Sequence, residues 1–189
     1  MKPEEAGGEY DWARDAEPIY TFLGIYVAAF QAMEGVLDQI LILAGGWRAR
    51  SATLDRLARF SNADRIEAAM AAAREGPRFA RAQAIPGWAV RIEALGQALA
   101  AERLRRNGLL HASYMLRGVE LGLDAIRTHR KRRDGAVQVD QEVLSRARMD
   151  EILGELAALS FELGQVHLQL LHLAEDDPEG ADAPDAGHQ

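Results

Sequence analysis

The chain contains no cysteine. That excludes disulfides and thiolate chemistry and fits a reducing cytoplasm. Its start, "MKPEEAGGEYDWARDAEP", lacks the basic and apolar segments of a secretory leader, so a cytoplasmic protein is expected. No Glu-x-x-His pair occurs, which removes the carboxylate-bridged di-iron site that helical bundles often carry. His167 and His172 stand five apart, a poor spacing for sharing a ligand on one helical face. They are expected to be partly buried or at the surface, and neither metal nor cofactor is expected. The Gly-x-x-x-x-Gly-Lys phosphate loop and the Gly-x-Ser-x-Gly elbow are also missing. There is no convincing recognition helix, no internal repeat, and no segment whose pattern competes as a strand.

What is present suits one globular domain with a sizeable core: 189 residues, 48% hydrophobic and 27% charged. A net charge of -7 argues against indiscriminate affinity for nucleic acid. The charge is unevenly spread. Residues 175–189, "EDDPEGADAPDAGHQ", hold six acids and no Lys or Arg, and read as a disordered, solvated tail. Between Glu102 and Arg133 stand nine basic and three acidic residues. A basic middle therefore sits in an acidic protein.

Helical periodicity dominates. Ile19, Leu23, Tyr26, Phe30, Met33, Leu37, Ile40 and Ala44 form one apolar seam, with Asp15 as N-cap, Pro18 in the first turn and Gly45-Gly46 as the stop. Gln31, Glu34, Asp38 and Gln39 interrupt the seam's apolar surroundings, which favours a long soluble helix over a membrane span. Short helices are expected near 52–60 and 63–74, capped by Ser51 and Asn62, followed by a loop over 75–88. A helix over 88–105 carries Trp88, Ile92, Leu95 and Leu99. The next carries Leu109, Ala112, Leu116, Val119, Leu123 and Ile126. A basic loop with an Asp-Gly turn spans 129–140. The last helix, about 141–174, starts at Asp140, and Met149, Ile152, Leu156, Leu159, Leu163, Val166, Leu170 and Leu173 form its seam. The expectation is an all-α protein: an antiparallel bundle of three to four long helices plus short ones. Residues 1–15 form a flexible start, 16–174 a single helical domain, and 175–189 the acidic tail.

The stretch "RRNGLLHASY", residues 105–114, carries the candidate chemistry. With Leu109–Arg127 taken as a helix, Asn107 and Gly108 stand at its start, where unpaired backbone N–H groups favour anions. Arg106 offers a planar fork of donors suited to phosphate oxygens. An imidazole at His111 can exchange protons near neutral pH. Arginine plus histidine is a minimal set for RNA cleavage without a metal: the histidine moves the proton and the arginine stabilises charge on the phosphorus. On that helix His111 lies off the core seam, on a flank with Tyr114, Gly118, Gly122 and Ala125 small enough for a second backbone to approach. A homodimer is expected from this flank. The competing reading is an ordinary helix junction.

Arg106-Asn107-Gly108-Leu109-Leu110-His111 resembles the Arg-x4-6-His motif of the HEPN superfamily in its Arg-Asn-x-x-x-His form. The resemblance implies a small all-α bundle with the motif near the start of a core helix. It implies a metal-independent endoribonuclease of toxin or defence type, with the Arg and His of two copies converging on RNA. Arg106 would contact phosphate, His111 would be the acid/base, and Asn107 would shape the junction. Arg105 also satisfies the spacing. Tyr114 stands three residues after His111, where the subgroup paired with nucleotidyltransferase antitoxins has its tyrosine two residues after. Some members add an acid from another helix, and Glu34 and Asp38 are candidates, with a solvated or core-edge role as the rival. Arg103, Arg130, Lys131, Arg132 and Arg133 would contribute RNA affinity through phosphate contacts. The alternatives are a catalytically silent helical domain binding a nucleotide or protein partner, and a structural helical dimer.

Overall fold

A computed structural model describes residues 12–116, 125–133 and 136–174. The acidic tail, Gly118, Val119, Gly122, Leu123 and the Asp134-Gly135 pair lie outside the described residues. The structure is helical in its bulk, as the periodicity predicts. Three long helices dominate: α1 (Trp12–Gly45), α5 (Trp88–Leu110) and α6 (Arg146–Leu173). Between the first two run α2 (Arg50–Leu57), α3 (Asn62–Glu75) and α4 (Ala80–Gln83), with 3-10 turns at Trp47–Ala49 and Pro77–Phe79.

One region departs from the helical expectation. The chain after α5 forms an antiparallel sheet in the order β1 (Ser113–Leu116), β2 (Ala125–Arg133), β3 (Ala136–Leu144). The helix expected over 109–127, the loop over 129–140 and the Asp140 cap are all overturned. The reason is local. Val137, Val139 and Val143 recur with the two-residue period of a strand and carry β-branched side chains, which suit it. Register pairs Arg133 with Ala136, leaving two residues between the strands, and Asp-Gly is the dipeptide that such a connection favours. The last helix starts instead at Arg146, where the Ser145 hydroxyl accepts from the Arg148 N–H at 3.2 Å.

The chain divides into two compact units, Met1–Ala28 with Arg106–Glu155, and Ala29–Arg105 with the chain from Leu156 onward. The first unit buries Ile19, Phe22 and Tyr26 of α1, Leu109 of α5, Leu144 of β3, and Met149 and Ile152 of α6. The second buries Phe30, Met33, Leu37 and Ile40 of α1, Met70 of α3, Ile92, Leu95 and Leu99 of α5, and Leu163, Val166 and Leu170 of α6. Most residues of the seams read from the sequence are among them, while Leu23, Ala44, Leu159 and Leu173 are only half-buried and Phe22, outside the seam, is buried. By length and composition, Ala16–Gly45 could cross a membrane, and Ile19, Tyr26, Phe30, Met33, Leu37 and Ile40 along it are buried within the chain.

In the second unit polar bonds fix the short helices. Trp88 donates its indole N–H to the Ala73 carbonyl at 2.9 Å, tying α5 to α3. Arg91 pairs with Glu162 at 2.6 Å, tying α5 to α6. The cap of α3 is Ser61, not Asn62: its hydroxyl accepts from the Asp64 N–H, and the Asp64 carboxylate accepts from the Ser61 N–H. Ser51 caps nothing, because α2 begins one residue before it.

Gly35 and Gly164 sit inside long helices, and a Cβ on either would meet nothing within 4 Å. Alanine at each should therefore raise stability by about 0.5–1 kcal/mol. Thermal unfolding followed by circular dichroism should show the two gains adding. A loss at either position would mean that a surface beyond this chain presses on the glycine.

Candidate functional site at the end of helix α5

Residues 105–114 close a helix rather than open one. Helix α5 continues through the motif to Leu110, and the His111 N–H makes its last backbone bond, to the Asn107 carbonyl at 3.1 Å. This overturns the placement of Asn107 and Gly108 at a helix start. At a C-terminal end the partnerless backbone groups are carbonyls, and the helix dipole is negative. Backbone N–H groups are not offered to an anion here. What such an end attracts is a donor or a cation, and both are present. Tyr114 of β1 donates its hydroxyl to the Leu109 carbonyl at 2.6 Å. The Arg127 guanidinium of β2 lies against Gly108, where a Cβ would come within 2.8 Å of its Nη1. Gly108 thus makes room for a guanidinium.

Arg127 is itself held by Glu142 of β3 at 2.8 Å. Glu142 is shared with Arg148 at 3.0 Å, and Arg148 also reaches Glu151 at 2.6 Å. Helix end, sheet and the start of α6 are therefore joined through one string of charges.

The motif residues divide clearly. Arg106 is half-buried and donates to the Asn107 side-chain oxygen at 3.3 Å. His111 is exposed, in the turn between α5 and β1. The flank that was to hold it with Tyr114, Gly118, Gly122 and Ala125 is not a helical face, because Tyr114 is in β1 and Ala125 in β2. The argument for a dimer through that flank fails with it. Arg105 pairs with Glu102, which is only 5% exposed, at 3.3 Å.

Glu34, Asp38, Arg103 and Arg105 belong to the other compact unit. There Glu34 accepts from the Asn62 side-chain amide at 2.7 Å, and Asp38 pairs with Arg65 at 3.0 Å. Burial pushes the Asp38 carboxyl above the usual carboxylate range, Arg65 pulls it back and Glu34 adds to the rise. The two carboxylates clasp α3 to α1. Arg103 lines a 490 Å³ cleft between α3 and α5 with Glu67, Arg74 and Glu93 among its neighbours. His167 is half-buried, its imidazole pushed down by burial, and His172 is exposed.

Strands β2 and β3 run through the stretch whose composition predicts a loop. Arg130, Lys131, Arg132 and Arg133 are consecutive residues of β2, paired in register with Val139, Gln138, Val137 and Ala136. On the other side, β1 starts opposite Thr128. The basic run therefore continues along β2 from the level at which the chain leaves His111 and Ala112. The candidate histidine, in the turn before β1, and the basic residues of β2 share one compact unit. Period-two valines in 136–144 were the signal that could have revealed this.

Burial pushes the Tyr114 hydroxyl up to about 12, with Arg127 pulling down and Glu142 pushing up. The folded chain thus keeps a proton that the unfolded chain loses near the ordinary value of 10.0. Stability from this group is full below that value and is lost as pH rises toward about 12. Absorbance at the phenolate band should show a late-titrating component that is lost in Tyr114→Phe, and that variant should lose about 1 kcal/mol at neutral pH. A titration curve unchanged by Tyr114→Phe at its alkaline end would refute the burial of that hydroxyl.

Comparison of the chain with protein-family models, with curated proteins and with solved structures gave no match.

Proposed function

We propose that the chain binds RNA along its sugar-phosphate backbone through β2 and cleaves it at His111 and Arg106. The observation that supports this most is the sheet register, which runs four consecutive basic residues along β2 from the level of His111. Phosphates laid along that strand would pass an exposed imidazole. In the reaction His111 takes the proton from a ribose 2′-hydroxyl. The 2′-oxygen forms a bond to the adjacent phosphorus, and the bond from phosphorus to the 5′-oxygen breaks. The leaving oxygen takes up a proton, giving a 5′-hydroxyl and a 2′,3′-cyclic phosphate. Arg106 neutralises charge on the non-bridging oxygens. The HEPN resemblance adds that a second copy would complete the site. No metal takes part in these steps, so EDTA should not slow them.

A second reading has one observation in its favour. The motif closes α5, and Arg106 is already bonded to Asn107. A domain that binds RNA without cutting it would show that arrangement too.

Two measurements separate these readings. Incubation of RNA with the chain in EDTA should give cleavage that His111→Ala and Arg106→Ala each abolish with the fold intact, since His111 fills no core space. DNA and 2′-deoxy substrates should resist. Products ending in a 3′-hydroxyl, or dependence on a divalent ion, would sink the cleavage mechanism, and binding without cleavage would support the silent form. For binding itself, changing Arg130, Lys131, Arg132 and Arg133 to glutamine should flatten the plot of log affinity against log salt by about 3. An unchanged slope would remove β2 from the interface.

A further inference from the structure

The turn after α1 carries a second surface, in the unit made by Ala29–Arg105 and the chain from Leu156 onward. Trp47 stands there 75% exposed. Its ring, with Arg48, Arg50, Ser51 and Leu54, lines a shallow cleft of 340 Å³. The Arg50 guanidinium lies 5.0 Å from the ring centroid. Beyond it the exposed side chains of Arg56 and Arg59 continue the positive charge, with Asp55 the one acid from Trp47 to Phe60. In a chain of net charge -7 this is a local reversal of sign.

The platform is firmly held. Gly46 has φ 79 and ψ 159, a conformation essentially restricted to glycine, and it aims the turn. Gly45 admits the Thr53 hydroxyl of α2, to which a Cβ there would come within 2.9 Å.

We propose that Trp47 and Arg50 form a stacking platform for an unpaired base of single-stranded RNA, with the neighbouring arginines taking its phosphates. The inference rests on the reading of the chain as RNA-binding and adds a second contact, remote in sequence from β2. A base presents a flat face to the indole, and guanidinium groups suit both the ring and the phosphate oxygens. A second copy of this chain is a poor occupant, because it would bring the same arginines against these. A protein partner of mainly apolar character would leave the arginines unanswered.

Tryptophan fluorescence tests this with the full chain. There are three tryptophans. Trp88 is 2% exposed and bonded through its N–H, so a ligand cannot stack on it. Changing Trp12 to Phe leaves Trp47 as the exposed reporter. A single-stranded oligouridylate should quench its emission, and a duplex of equal length should quench far less, because its bases are already stacked. Trp47→Ala should weaken binding of the single strand roughly tenfold, Trp47→Phe less, and Arg50→Glu at least tenfold. Circular dichroism should be unchanged, since the ring is exposed. If single-stranded RNA binds Trp47→Ala as tightly as the parent while the β2 variant binds weakly, the platform is refuted and the RNA reading survives. If the parent binds no RNA, both fall. Quenching by phosphatidylserine vesicles in place of RNA would also overturn the platform and make the patch a membrane contact.

Discussion

Gly108 leaves the last turn of α5 bare on one side, and the Arg127 guanidinium occupies the space. Much of the first unit hangs on that contact. A cation suits the negative end of a helix dipole, so the position is favourable for arginine and unfavourable for a carboxylate. Arg127 is only 15% exposed, and a charge so covered needs partners. Glu142 supplies one and is steadied in turn by Arg148. Three elements, β2, β3 and α6, thereby share a single string of charges, which meets α5 at Gly108. Losing Glu142 would leave Arg127 covered without its carboxylate, a larger penalty than the bond alone is worth.

The helices were legible in the sequence because packing writes a regular signal. Tyr26, Phe30, Met33, Leu37 and Ile40 are all buried, and so are Ile152, Leu156, Leu163, Val166 and Leu170. A long helix must hide one face, and that need imposes the 3.6-residue period. Gly45 also stopped α1 where its glycine pair suggested. The sheet was obscured for an opposite reason. Leu109, Ala112, Leu116 and Ile126 happen to fall on a helical period, although only Leu109 is in a helix. β1 is only four residues long, too short to leave a periodic trace, and charged residues at every position of 130–133 erase the alternation that would mark a half-buried strand. Three valines two or four apart were the residual signal.

The candidate site was legible in its residues and not in its setting. Arg106, Asn107 and His111 lie together around the end of α5, but the direction of the helix about them is reversed. That reversal changes which backbone groups surround them, from donors to acceptors. Gly108 and Tyr114 then acquire roles no spacing rule would assign, one as a clearing for Arg127 and the other as a cap on Leu109. Glu34 and Asp38 illustrate the same limit. A pair of carboxylates one turn apart on a helix looks equally like chemistry or like a clasp until Asn62 and Arg65 are seen to take them.

β1 pairs with only four residues of β2, ending at Thr128. From His129 to Arg133 the strand has β3 on one side and no strand on the other among the described residues. An open strand edge invites further strands, and natural sheets commonly guard such an edge with like charges. The basic run is placed to act as that guard. Its solubility then depends on its remaining charged: a polyanion that neutralised the run without covering the backbone, or salt high enough to screen it, would leave an unguarded template for edge-to-edge aggregation.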